Sequence, residues 1–195
     1  MVVDPFSKET GLTPPRFRAD LVLVTHDHYD HSNAESLTGT PFIIKDPGEY
    51  EVKGVYVKGI QTFHDKSKGK ERGVNTIYQI KLEDMSILHM GDFGEGTVGG
   101  ETLDEFDDVD ILMIPVGGKY TIDGEEAAKV VKEIEPKVVI PMHYKITGLK
   151  LGLDGVETFL KEMGASKIKG EDKLTIKKKD LGEDGGYRVI VLNPV

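Results

Sequence analysis

A chain of 195 residues with 38% hydrophobic content can bury one substantial core, and it is expected to fold as a single domain over residues 1–195. Its net charge of -9 argues against a broad basic surface for holding nucleic acid, because phosphate binding needs clustered Lys and Arg. Cys is absent, which excludes disulfides and thiolate ligation, so a bound metal would need His nitrogens and carboxylate oxygens.

The start, Met1 to Pro5, lacks a basic segment followed by an apolar stretch, and no later run could span a bilayer. Cytoplasmic residence without membrane association is the default expectation. Leu21-Val22-Leu23-Val24 reads as a strand buried on both faces, and it delivers Thr25-His26-Asp27-His28-Tyr29-Asp30-His31 at its end. A short helix is expected at Ser32 to Leu37. Phe42 to Ile44, Val52 to Ile60 and Asn75 to Leu82 read as further strands separated by turns. The stretch Asp65 to Gly73, with Lys66, Lys68, Lys70 and Arg72, is a basic loop suited to solvent or to a phosphorylated substrate.

Ile87-Leu88, Ile111 to Ile114 and Val138 to Ile140 repeat the buried-strand pattern, each followed by Gly, Pro, Asp or His. Glu125 to Glu135 carries an apolar stripe at 127, 128, 130, 131 and 134, with acidic residues in its first turn and Pro136 as its stop, which predicts a helix. Gly155 to Met163 is a second, shorter helix. Lys177 to Lys179 and Gly185-Gly186 are expected to flank hairpin strands, with Val189 to Leu192 last.

In His26-Asp27-His28 the imidazoles alternate along an extended segment, so both can point to one side while Asp30 and His31 face a second position nearby. Such a cluster after a buried strand would cost several kcal/mol if desolvated without partners, whereas a cation satisfies all its members at once. The remaining histidines, His64, His89 and His143, also sit where strands meet loops. Gly91-Asp92 places a carboxylate at a strand tip with little backbone obstruction.

The string from Thr25 to His31 resembles the HxHxDH signature of the metallo-β-lactamase superfamily. Thr62 to Asp65, Leu88 to Asp92 and Ile140 to Tyr144 follow in the family's order, so the resemblance extends over most of the chain. The branch it is most similar to is the small metal-dependent hydrolases related to ascorbate-6-phosphate lactonase. The resemblance implies an α/β fold, a four-layer αββα sandwich with helices on both outer sides and the site along one edge, its opening strand expected to be missing. It implies two divalent ions, with zinc the first candidate and Mn or Fe compatible: His26, His28 and His64 would hold one, Asp30, His31 and His143 the other, and Asp92 would bridge them. His89 falls to an outer shell or to substrate contact. Phe93 stands where many relatives carry Thr, removing a hydroxyl that could orient the bridging carboxylate.

A metal-activated water is then the nucleophile, with Asp30 and Asp92 as catalytic carboxylates that accept its proton. Lys119, Tyr120, Tyr144 and Lys145 follow strand ends at the same rim and are candidates for substrate contact. The expected substrate is a small ester, lactone or phosphate ester. Phosphodiester hydrolysis of RNA or cyclic nucleotides is the alternative, although a chain of this length has no room for the strand-gripping domain of long nucleases. A redox di-iron protein would carry Glu at His28, and a non-catalytic metal protein or scaffold would have lost ligands that this chain keeps. Oligomeric state is not legible.

Overall fold

The apolar run at Leu21 forms a strand because alternate residues find different cores: Leu21 and Leu23 pack between two sheets, while Val22 and Val24 pack outward against Ala19 and Leu37. In the computed structural model, which describes residues 1–182 and 186–194, β1 (Val2–Val3), β2 (Leu21–Leu23) and β3 (Phe42–Ile44) form a small parallel sheet in that order. The second sheet begins with the antiparallel run β4 (Gly48–Val52), β5 (Val55–Phe63), β6 (Val74–Leu82) and β7 (Met85–His89). After the short helix α1 (Gly100–Leu103), it continues in parallel through β8 (Ile111–Pro115), β9 (Val138–Met142) and β10 (Arg188–Val189).

Helix α2 (Gly124–Ile134) connects β8 to β9, and α3 (Glu157–Glu162) follows β9. Asp123 starts α2 through a capping box with Glu126, and Glu135 ends it in the left-handed conformation ahead of Pro136. The buried stripe of Ala127, Ala128, Val130 and Val131 packs on Leu88, Leu112 and Val139 of the large sheet, the face that the 3.6-residue period marks. The layer order is helix, sheet, sheet and helix, with the fourth layer reduced to one 3-10 turn, Ala34–Ser36, in the region expected to be a short helix. No helix among the described residues is long and apolar enough to cross a membrane.

Two local expectations change. The strand expected from Val52 is broken by Lys53-Gly54, both at positive φ, which close a two-residue hairpin between Val52 and Val55. Among the described residues the expected C-terminal hairpin is not seen: Lys178–Asp180 is a 3-10 turn, and Arg188–Val189 pairs in parallel with β9. Gly185 lies outside the described residues. Leu174 and Ile176 cover the inner face of the large sheet, together with Leu181.

Asp110, 4% exposed at the start of β8, ties this end of the sheet together. It accepts from the Ser86 N–H at 3.0 Å, Lys137 Nζ at 2.9 Å and Lys178 Nζ at 2.6 Å. Burial opposes its charge, but these donors hold its carboxyl below the usual range. Asp110→Ala is therefore expected to cost about 2–3 kcal/mol at pH 7, since it removes charged hydrogen bonds and orphans a buried N–H. A depressed folded-state pKa contributes stability above the unfolded value of about 3.9 that is lost as pH falls through the folded value. Denaturant midpoints of wild type and variant should accordingly converge below about pH 4; a gap that is constant with pH would refute the assignment.

Because β6 is antiparallel to both β5 and β7, strands β5, β7, β8 and β9 all run the same way and end at one edge. The two sheets are tied together near that edge by the Thr76 N–H to Thr25 O at 2.8 Å and Tyr78 Oη to Val24 O at 3.0 Å. Residues following β2, β5, β7, β8 and β9 therefore converge in space.

Candidate metal centre

Four of these strand ends supply the candidate ligands: His26, His28, Asp30 and His31 after β2, His64 after β5, Asp92 after β7, and His143 after β9. Their ligand-capable atoms fall into three sets, each within 4.8 Å: His26 with His28 and His64; His26 with His31 and Asp92; and Asp30 with His31 and His143. Asp92 lies among them. Its Oδ2 is 3.1 Å from His64 Nε2, 3.5 Å from His143 Nε2 and 3.8 Å from His26 Nε2, and its Oδ1 is 3.3 Å from His31 Nε2. All seven expected ligands are thus brought together.

His26 Nε2, His64 Nδ1, Asp92 Oδ1 and both ring nitrogens of His143 are buried without a hydrogen-bond partner. Orphaned polar atoms are costly, and His26 Nε2, His143 Nε2 and Asp92 Oδ1 lie where divalent cations would satisfy them. The donor set, all nitrogen and oxygen, fits zinc, manganese or iron.

The orientation of two imidazoles traces to Asp4, a residue that no local sequence pattern marks as part of the site. Asp4 Oδ1 accepts from the Thr25 N–H at 2.8 Å, and Oδ2 accepts from Thr25 Oγ1 at 2.8 Å and from His31 Nδ1 at 3.0 Å. The Thr25 hydroxyl, having given its proton to Asp4, can only accept from His26 Nδ1, 3.0 Å away. Both Nδ1 atoms are thereby protonated, and Nε2 of each ring points at the ligand cluster. Asp4→Asn is expected to weaken metal binding about 10–100-fold, as loss of an orienting carboxylate does. Competition against a chelator measures it; unchanged affinity would remove Asp4 from this role.

Electrostatics agree with that division. Burial, helped by the His31 charge, pushes His26 down to about 3, and burial also lowers His28 and His143. Burial opposes a charge on His31 too, but the carboxylates of Asp92, Asp4 and Asp30 outweigh it and push His31 up to about 10. Burial likewise opposes ionisation of Asp92, and His31 with His143 and His64 holds it well below the usual range. A metal ion would take over the role of the His31 proton and release it.

Close backbone packing fixes the loops. Asn75, fully buried, accepts the Asp92 N–H at 2.9 Å and donates to Thr62 Oγ1 and Met90 O, both at 2.9 Å. It orients the Asp92 loop where no hydroxyl follows, while Phe93 is buried in the helix-side core. Gly91, at φ 54°, leaves no space for a side chain: a Cβ there would lie 2.5 Å from Asn75 Oδ1. His143 itself has φ 50°, a left-handed conformation costly for a residue other than Gly.

The other expected site residues separate. His89 is buried, its Nδ1 accepts the Gly91 N–H at 3.1 Å, and it belongs to no ligand set. Lys119 and Tyr120 line a polar pocket beside His64, where the Arg72 guanidinium lies 4.5 Å over the Tyr120 ring. Tyr144 lines an apolar pocket on the other side, with its hydroxyl 3.5 Å from Leu192 O. Lys145 is exposed and lines neither.

A family model described as a beta-lactamase superfamily domain matches residues 1–143. A UPF0173 metal-dependent hydrolase of Staphylothermus marinus is 32% identical over 176 residues, covering 74% of this chain and 73% of its own. Its counterpart in Thermococcus kodakarensis is 28% identical over 174 residues, covering 74% and 76%. A crystal structure from Thermotoga maritima, described as a Zn-dependent hydrolase of the metallo-beta-lactamase superfamily, matches at TM-score 0.72 and 32% identity over 98% of this chain and 88% of that one.

Proposed function

Because the chain belongs to the metallo-β-lactamase superfamily, as one of its metal-dependent hydrolases, we propose that it cleaves a small ester or lactone at a centre of two divalent ions, zinc first. The observation that carries this reading is Asp92, which lies within 3.1–3.8 Å of imidazoles from both ligand groups, while its own Oδ1 and ring nitrogens of His26, His64 and His143 are buried without partners. His26, His28 and His64 would hold one ion; Asp30, His31 and His143 the other; Asp92 would serve both. Bound there, such ions polarise a carbonyl and bring the pKa of water toward ~7.

The two carboxylates divide the work. Asp92 is enclosed by imidazoles and holds the centre together. Asp30 is half-buried, lines the apolar pocket and has Oδ2 3.7 Å from His31 Nε2, which suits it to take a proton from water and return it to the leaving alcohol. A phosphate ester fits less well. The polar pocket beside His64 sets Lys66, Arg72 and Lys119 against Asp65, Glu71, Asp123 and Glu126, and Lys66 is already paired with Glu126.

The test is metal analysis of protein purified without added metal, with hydrolysis assays on lactones, carboxylic esters, phosphodiesters and phosphomonoesters. His26→Ala is expected to lower both metal content and turnover. Unchanged stoichiometry in that variant, or turnover confined to phosphate esters, overturns the reading.

A further inference from the structure

The pocket on the His143 side has a volume of about 330 Å³ and differs in character from the polar one. Phe6 and Leu12, from the segment after β1, face Leu149, Leu151 and Leu153, from the loop after β9, and Met142 of β9 completes the wall. Of these Leu153 is buried and the rest are half-buried, so a concave apolar surface is open to solvent beside the candidate metal centre. Charge-bearing groups enter at one place only: Asp30, His31 and His143 form one end, and no Lys or Arg among the described residues lines it. An apolar cleft with a few convergent polar groups is the form taken by sites that bind an apolar body and orient one reactive group.

We propose that this pocket holds the alkyl arm of the substrate, which makes the preferred substrate a medium-chain acyl ester or an alkyl-substituted lactone. The proposal rests on the hydrolase reading above and specifies its substrate class. Water adds its hydroxyl to the acyl carbon, the acyl C–O bond breaks, one proton passes to the alcohol oxygen, and the fatty acid formed loses its proton to solvent as a carboxylate. The volume of about 330 Å³ accommodates on the order of ten carbons, at roughly 30 Å³ for a group the size of a water molecule. The polar portion of the ester lies toward His64, where Arg72, Lys119 and Tyr120 offer hydrogen bonds without a net positive field.

The experiment uses metal-reconstituted full chain and p-nitrophenyl esters from acetate to decanoate, with p-nitrophenyl phosphate as the charged arm. Burial of each methylene is expected to raise kcat/KM about threefold to fourfold until the pocket is full near octanoate. Leu149→Gln, with metal content and thermal midpoint checked against wild type, is expected to lower the octanoate-to-acetate ratio. A series that is flat or falls with length, or a preference for the phosphate, overturns the proposal even if esters are cleaved. Should no ester turn over, the hydrolase reading fails first, and calorimetric titration with butanoate, hexanoate and octanoate decides the pocket separately. Affinity that tightens with length supports it; equal affinities overturn it.

Discussion

Asp92→Asn is expected to cut metal content from the two ions per chain proposed above to below one and to lower metal affinity by roughly 150- to 4,000-fold, since removing one partner from a buried charged cluster costs about 3–5 kcal/mol. The substitution keeps the shape of the side chain and its place after β7, where the Asp92 N–H is held by Asn75. What it removes is the negative charge that four imidazoles face at 3.1–3.8 Å. An amide cannot replace it: its nitrogen is a donor and would point at nitrogens that a cation must occupy. Hydrolysis should fall in step with metal content. Inductively coupled plasma analysis with chelator competition reads the first effect, and circular dichroism verifies that the fold persists. Wild-type stoichiometry and affinity would mean that Asp92 serves neither ion.

Much of this candidate centre is legible in the sequence because its candidate ligands cluster after apolar strands. The run Leu21 to Val24 announces the strand, and Thr25 to His31 shows ligand types too dense for chance. Likewise α2 is written in a capping box, a helical stripe and Pro136, and each signal is local. The residues that escape notice work over distance. Asp4 reaches Thr25 and His31 across 21 and 27 positions, and Asn75 reaches Asp92 across 17. Neither carries a local pattern, since a single Asp before Pro or a single Asn at a strand start usually marks a turn.

Three further features were hidden for different reasons. The apolar pocket joins Phe6 and Leu12 to Leu149, Leu151 and Leu153, which belong to loops with no period to read. The basic loop after His64 suggests phosphate recognition by composition alone. In the fold, Asp65 accepts four backbone N–H groups, from Ser67, Gly69, Glu71 and Arg72, while Lys66 pairs with Glu126, so the loop's own architecture uses part of that charge. Hairpin Leu82 to Met85 turns through Glu83-Asp84, both at positive φ, without the Gly or Asn that would advertise it.

Gly94→Ala and Gly117→Ala are expected to disable the two halves of the centre separately. A Cβ on Gly94 would lie 2.4 Å from the carbonyl carbon and oxygen of His64, and one on Gly117 would lie 2.2 Å from the His143 carbonyl oxygen. Neither glycine has the positive φ that resists Ala, so the effect is collision with neighbouring backbone and not torsional strain. Backbone cannot swing aside as a side-chain tip can, and overpacking of this kind costs about 1–3 kcal/mol or more. Relief comes from moving the loop that carries the ligand. Displacing His64 dismantles the set with His26 and His28, whereas displacing His143 dismantles the set with Asp30 and His31. Each variant should therefore retain close to one ion per chain with a lowered thermal midpoint, and the Gly94→Ala/Gly117→Ala double variant should retain almost none. Loss of both ions from either single variant would mean that the two groups bind metal as one cooperative unit, while full retention in both would show that these backbone contacts do not position the ligands.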